Sequence, residues 1–186
     1  MTTLSIFDQS VPESPRIVTE DAGKIANLLA EHGVRFEQWA PRDLPADASS
    51  DDILEAYSGE IQALKEECGF QAADVISLNP DNPQKEAFRQ KFLDEHVHSE
   101  DEVRFFVRGQ GLFYLHFGDQ VYAVLCQKND LISVPDGTRH WFDMGPEPAF
   151  TCIRLFTNPE GWVADFTGED IASRLPRYER LAGVAG

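Results

Sequence analysis

A histidine pair, answered from far along the chain, constrains this sequence more than anything else in it. The pair is His96-Val97-His98, followed by Ser99-Glu100-Asp101-Glu102; the answer is Pro135-Asp136-Gly137-Thr138-Arg139-His140. Side chains alternate along an extended strand, so His96 and His98 share a face and can grip one ion from one side. Glu102 is either in phase on the same strand or, after a short turn, on a neighbouring one. His140 follows a Pro-x-Gly turn, so the later half of the chain must fold back to complete the group. Three imidazoles and a carboxylate suit iron, nickel, manganese or zinc, and open coordination positions would admit substrate and oxygen.

The flanking sequence changes rhythm at this point. Before residue 96 the pattern is mixed. Leu4 to Phe7 reads as an edge strand. Thr19 is a candidate N-cap for a helix carrying Ala22, Ile25, Leu28 and Leu29, ended at Gly33. Val34 to Trp39 alternates like a strand. Ser49 or Ser50 can cap a helix with the stripe Ile53, Leu54, Tyr57, Ile61 and Leu64, stopped at Gly69. Val75 to Leu78 reads as a buried strand, and Gln84 to Leu93 as a helix leading into the histidines. After residue 96 come short strands at regular spacing: 103–107, 112–117, 121–125, 131–134 and 150–156. Such a series predicts a sandwich or barrel of antiparallel strands. From Pro159 the tail is mixed, with Gly161-Trp162-Val163 packed, a short helix over Glu169 to Leu175, and frayed last residues.

The length of 186 residues suits one domain. Its expected parts are a helical lead-in over 19–93, a metal-binding barrel core over about 75–157 and a tail over 158–186. Thirty-two acidic against sixteen basic residues give a formal charge of −16, which argues against nucleic acid and anionic membrane as partners. Cys68, Cys126 and Cys152 form no C-x-x-C pair and read as reduced, mostly buried thiols of a cytosolic protein. No signal peptide is expected, and no apolar run approaches membrane-spanning length.

These motifs resemble the cupin superfamily. Its first motif, G-x5-H-x-H-x3/4-E-x6-G, is matched by His96, His98, Glu102 and Gly109, with Gln90 in place of the first glycine. Its second, G-x5-P-x-G-x2-H-x3-N, is matched by Pro135, Gly137 and His140, with Asn129 for the glycine and Met144 for the asparagine. Asn tolerates a left-handed turn, so the Asn129 exchange is mild. The narrower runs Glu95 to Arg104 and Val134 to Asp143, with the helical lead-in and the Gly161-Trp162 tail, are similar to the acireductone dioxygenase family. The resemblance implies a mainly β fold: a cupin (jelly-roll, double-stranded β-helix) barrel with several flanking α-helices. It also implies a monomeric, cytoplasmic enzyme binding one Fe2+ or Ni2+ through His96, His98, Glu102 and His140. The implied substrates are the acireductone of methionine salvage and O2. The family further implies roles for Glu95 in metal incorporation, Asp101 in relaying local conformational change and Arg104 in generating the substrate dianion. A thiol dioxygenase, a sugar isomerase or a non-catalytic metal- or ligand-binding cupin would carry the broader cupin motifs equally well.

Arg104 is two residues beyond Glu102, so on a strand it shares that face, where a cation needs an anion to meet. A nearby acid could equally claim it. Arg154, within the apolar run Phe150 to Phe156, is a weaker candidate for the same cavity. Phe92, Phe142 and Trp162 are candidates for packing a methylthio tail, since thioethers pack well on rings; plain core packing explains each as well. His32 and His116 lie outside the motifs and read as structural.

Overall fold

In the computed structural model, which describes residues 1–183, the strands build two antiparallel sheets. One has the order β12 (Asp165–Phe166), β5 (His96–Val97), β10 (Arg139–Asp143), β7 (Gln110–Phe117), β8 (Gln120–Gln127), β1 (Thr3–Asp8), β2 (Ile17–Thr19). The other has the order β3 (Arg35–Gln38), β9 (Asp130–Val134), β6 (Glu102–Arg108), β11 (Phe150–Phe156), β4 (Ala72–Leu78). Helices α1 (Ala22–Ala30), α2 (Ser50–Ala56), α3 (Ser58–Cys68) and α4 (Lys85–Phe92) come before the histidines, and α5 (Ile171–Arg174) and α6 (Tyr178–Leu181) close the described chain. This is the mainly β cupin barrel with flanking helices that the motifs imply.

Strand parity decides which residues face the barrel interior. On β6, Phe106 joins an interior core with Phe113, Val124, Ile132 and Cys152, drawn from both sheets. The intervening Val103, Phe105 and Val107 pack outward against α2 and α3 through Ile53, Tyr57, Ile61 and Leu64. Glu102 and Arg104 are in phase with Phe106, so the barrel turns both polar groups inward. Strands β7 and β8 are buried on both faces. Phe113, Leu115 and Val124 point inward, whereas Leu112, Tyr114, Val121 and Trp141 meet Ile171, Leu175 and Tyr178 of the C-terminal segment. A sheet covered on both sides needs no hydrophobic alternation, which is why these strands read as continuous apolar runs.

Two backbone positions bear directly on the motifs. Asn129 stands where the cupin pattern has glycine, and its φ is 76°, the left-handed conformation that asparagine tolerates. Gly109 has φ 72°, and a Cβ there would lie 1.9 Å from the Ala149 carbonyl oxygen, so no other residue fits.

Several local expectations are corrected. Leu4 to Phe7 is not an edge: β1 lies between β8 and β2, and β2 is the outer strand. The N-cap of α1 is Asp21, which accepts from the Lys24 amide, while the Thr19 hydroxyl, two residues earlier, accepts from the Asp21 amide. The stripe from Ile53 to Leu64 belongs to two helices, interrupted at Tyr57, where Ser58 and Gly59 disfavour continuation. Ser49 caps the first through a capping box with Asp52. β4 is an outer strand and mostly half-buried. Val163 is exposed rather than packed. Strands β1, β2 and β3 join the sheets well before residue 75. Cys126 and Cys152 are buried free thiols, but Cys68 is exposed. The expected fraying of the last residues falls on 184–186, outside the described residues. Among the described residues, no helix is long and apolar enough to cross a membrane.

Candidate metal centre

The histidines converge because β5 and β10 are neighbours. His96 and His140 are Cα partners across that pair, and His98 follows two residues after His96 at the end of β5. Their ring centroids stand 4.6 to 5.0 Å apart in a near-regular triangle. All three are buried, and their ligand atoms lie within 4.8 Å of one another. Glu102 takes the second of the two placements open from sequence: it begins β6, on the opposite sheet, paired with Val134 of β9. The group therefore spans both sheets at one end of the barrel. The Pro135–Gly137 turn is tied to it by a hydrogen bond from the Gly137 amide to the His98 carbonyl, 2.9 Å.

Backbone carbonyls fix the imidazole tautomers. Nδ1 of His96 lies 2.7 Å from the Asp94 oxygen, Nδ1 of His140 2.7 Å from that of Thr138, and Nδ1 of His98 3.4 Å from that of Val163. A carbonyl can only accept, so each Nδ1 carries hydrogen and each neutral ring keeps its lone pair on Nε2. Two of those Nε2 atoms face one carboxylate oxygen: Glu102 Oε2 is 2.7 Å from His140 Nε2 and 3.3 Å from His98 Nε2. With Nδ1 of His140 already on a carbonyl, its short contact to Glu102 needs hydrogen on both ring nitrogens, a proton that a divalent ion held by the same Nε2 and carboxylate would replace. Burial works to raise the Glu102 carboxyl, but Arg104, with His140 and His98, holds it well below its ordinary range. Burial, with the neighbouring His140, pushes His96 down to about 4. Burial would also lower His140, yet its bond to Glu102 wins and raises it. A carboxylate and at least one neutral imidazole at neutral pH are the forms that bind a divalent ion, so this donor set fits one.

The supporting residues are placed as follows. Arg104 is mostly buried, with Nη2 3.1 Å from Glu102 Oε1, and it remains at the cavity wall. It pairs with an acid and also lines the cavity. Arg154, its Cα partner on β11, is held by Asp74 through two hydrogen bonds of 2.8 and 2.5 Å. The Trp162 ring lies over both guanidinium groups, 5.2 Å from Arg104 and 4.6 Å from Arg154. Asp101 is bonded through both its carboxylate and its backbone carbonyl. Its carboxylate accepts from the Asp136 amide at 2.9 Å and its carbonyl from Trp162 Nε1 at 3.3 Å, joining the two motif turns to the tail. Glu95 points away from the histidines into a buried cluster, 2.5 Å from His116 Nδ1 and 2.8 Å from Thr167 Oγ1. His32 stacks on Phe117 and is not among the clustered histidines.

Two connected spaces open from Glu102 and Arg104. A vestibule of about 590 Å³ is lined by His98, Arg154, Trp162 and Phe166. An inner cavity of about 90 Å³ is lined by Phe92, Phe106, Phe113, Phe142, Phe150 and Met144. Of the three aromatic candidates, Phe92 and Phe142 line the inner cavity, while Trp162 belongs to the vestibule. Gly111 leaves room for the Phe142 ring, since a Cβ there would sit 2.3 Å from it. Burial pushes the Cys152 thiol, also in the inner wall, up to about 12, so it stays neutral. Asp74, Met144, Phe106 and Phe150 were not singled out from sequence as cavity residues. Parity with Glu102 and with Arg154 points to Phe106 and Phe150, whereas the pairing of Asp74 with Arg154 has no local signal.

The two sheets and the histidine group at one end of the barrel define a metal-binding cupin. The model of the ARD/ARD' family matches residues 3–164. The acireductone dioxygenase of Marinobacter nauticus is 75% identical over 185 residues, covering 100% of both chains. That of Hahella chejuensis is 63% identical over 181 residues, covering 97% of this chain and 98% of the relative. The solved acireductone dioxygenase from Bacillus anthracis with cadmium ion in its active centre matches with a TM-score of 0.77 at 31% identity, covering 89% of this chain and 98% of that one. The chain belongs to the acireductone dioxygenase family and is a dioxygenase.

Proposed function

We propose that the chain cleaves 1,2-dihydroxy-3-keto-5-methylthiopentene with O2 in methionine salvage, as a cytoplasmic monomer with one Fe2+ or Ni2+ per chain. Its barrel, helices and tail act as one domain. The observation that carries this reading is the buried triangle of His96, His98 and His140 facing the Glu102 carboxylate, beside a cavity with one cationic and one aromatic end. With iron the products are formate and 4-methylthio-2-oxobutanoate; with nickel they are formate, carbon monoxide and 3-methylthiopropionate.

His96, His98, Glu102 and His140 would hold the ion, which supplies a Lewis acid for adjacent substrate oxygens and a place for oxygen chemistry. The Asp94, Thr138 and Val163 carbonyls keep the three imidazoles oriented for it. Arg104 donates to the ene-diolate oxygens and favours the dianion, its guanidinium already held at the cavity wall by Glu102. Phe92 and Phe142 pack the methylthio tail and exclude water, while Arg154 and Trp162 border the route in. Asp101 relays movement between the two motif turns, and Glu95 supports loading of the ion from behind His96.

The test is to strip the protein, reload it separately with Fe2+ and Ni2+, and supply acireductone and O2. Formate from both forms and carbon monoxide in the headspace of the nickel form alone are expected. Equal carbon monoxide from both, or no oxygen uptake from either, would overturn the reading.

A further inference from the structure

Met144 stands where the cupin pattern has asparagine, and neither the donor set nor the fold explains the exchange. The structure gives it a place. Its side chain is buried, at the inner end of the aromatic cavity. Behind it lies a second apolar cleft of about 310 Å³, between β4 and α4, lined by Ile76, Leu78, Phe88, Phe92, Met144 and Phe150. Ile76, Phe92, Met144 and Phe150 line both spaces, so these four side chains form the partition between them. The vestibule and the inner cavity share Glu102 and Arg104, and the inner cavity and the cleft share this partition, so the three spaces adjoin in turn. The four differ in what could open the passage. Phe92 and Phe150 are rigid rings and Ile76 is β-branched, whereas methionine is unbranched, with three rotatable bonds.

We propose that Met144 is a specificity-determining residue that closes the inner cavity and sets the longest apolar tail an acireductone can carry. This rests on the functional reading above, in which the tail lies among Phe92 and Phe142. The chemistry is burial alone: a tail that ends at Met144 gains from every methylene up to that point and clashes beyond it. Shortening Met144 would join cavity and cleft, so further methylenes would be buried instead of rejected. Each buried methylene corresponds to about fourfold in binding.

The test uses holoenzyme and acireductones whose methylthioethyl tail is replaced by straight alkyl chains from propyl to octyl. For each preparation the readout is the ratio of kcat/KM for octyl to that for propyl, which does not depend on the folded fraction. In wild type the ratio should be far below one. Met144→Ala should raise it by on the order of tenfold or more, with the change in KM, as expected for two or three added methylenes. Met144→Leu, similar in volume, should leave the ratio within about threefold of wild type. An unchanged ratio in Met144→Ala, with both proteins turning over the methylthio substrate, would overturn the role of Met144 and leave the functional reading standing. No turnover of any acireductone by wild-type holoenzyme would overturn that reading and the assignment of Met144 together.

Discussion

Two buried carboxylates in this barrel look alike by burial and differ in what they face. Asp143, at the end of β10, is fully buried and every acceptor site is used. Arg89 of α4 donates to both oxygens at 2.8 and 3.2 Å, and the Gly145 and Tyr178 amides add one bond each at 3.0 Å. Arg89 also reaches Glu179, at 2.9 Å, so the cluster locks α4, β10 and α6 together with a cation supplied by the fold. Glu102 is buried to a similar degree, but beside the Arg104 guanidinium its partners are the imidazole Nε2 atoms of His98 and His140. A carboxylate paired with a permanent cation holds structure, whereas one paired with imidazoles that can exchange a proton for a metal ion can hold a ligand. Burial alone would not have separated the two.

Substituting a donor breaks the comparison most sharply. His96→Ala, His98→Ala, Glu102→Ala or His140→Ala should each strip the protein of most of its metal and reduce turnover by several orders of magnitude, while the metal-free fold survives. Metal content by mass spectrometry, beside circular dichroism, checks this. Full metal and full rate in two or more of the variants would contradict the assignment. Asp143→Ala should do the reverse. It leaves Arg89 buried without its main partner and should cost about 3–5 kcal/mol of stability, read as a lowered unfolding midpoint in urea, with the metal donors intact.

How much of this was legible beforehand follows the same division. His96, His98 and His140 were readable because strand period and a Pro-x-Gly turn are local signals. The strand that carries Glu102 was not, since spacing allowed either sheet and only tertiary pairing decides. β10 went unread because the Pro135 turn masked the short strand after it. The Asp143 cluster was invisible because Arg89, Asp143 and Glu179 lie far apart in sequence. One hint to it existed: Leu112 to Phe117 and Val121 to Leu125 do not alternate, so something had to cover their second face, and α5 and α6 do.

Arg104→Ala should sharpen the contrast within the centre itself. Metal is retained, but the rate falls by about two orders of magnitude, roughly 3 kcal/mol, for loss of a charge-assisted hydrogen bond to the developing dianion. Arg104→Lys should recover only part, because an ammonium lacks the planar fork. Unchanged kinetics in the alanine variant would remove Arg104 from the chemistry.

The smallest effect belongs to pH and to Glu179. Its hydrogen bond to Arg89 holds the carboxyl below its ordinary value. The lowered folded value means the stabilisation is present above the unfolded glutamate pKa of about 4.3 and fades as pH falls through the folded one. Glu179 is partly exposed, so the loss should stay within about 1 kcal/mol. Protection factors of the Tyr178 to Leu181 amides, corrected for intrinsic exchange and followed from pH 6 downward, should fall in wild type and stay level over that window in Glu179→Gln. Identical profiles would show that this ion pair does not fasten α6.

The need of the Glu102 cluster for a cation is tested most directly by thermal unfolding of the stripped protein under titration with Ni2+. One equivalent per chain should bind, and the midpoint should climb with free metal, by the equivalent of about 4 kcal/mol at a thousandfold excess over Kd. His96→Ala/His98→Ala should show no such rise. A wild-type midpoint indifferent to metal, or one that climbs equally in the double variant, would contradict a metal centre built on these histidines.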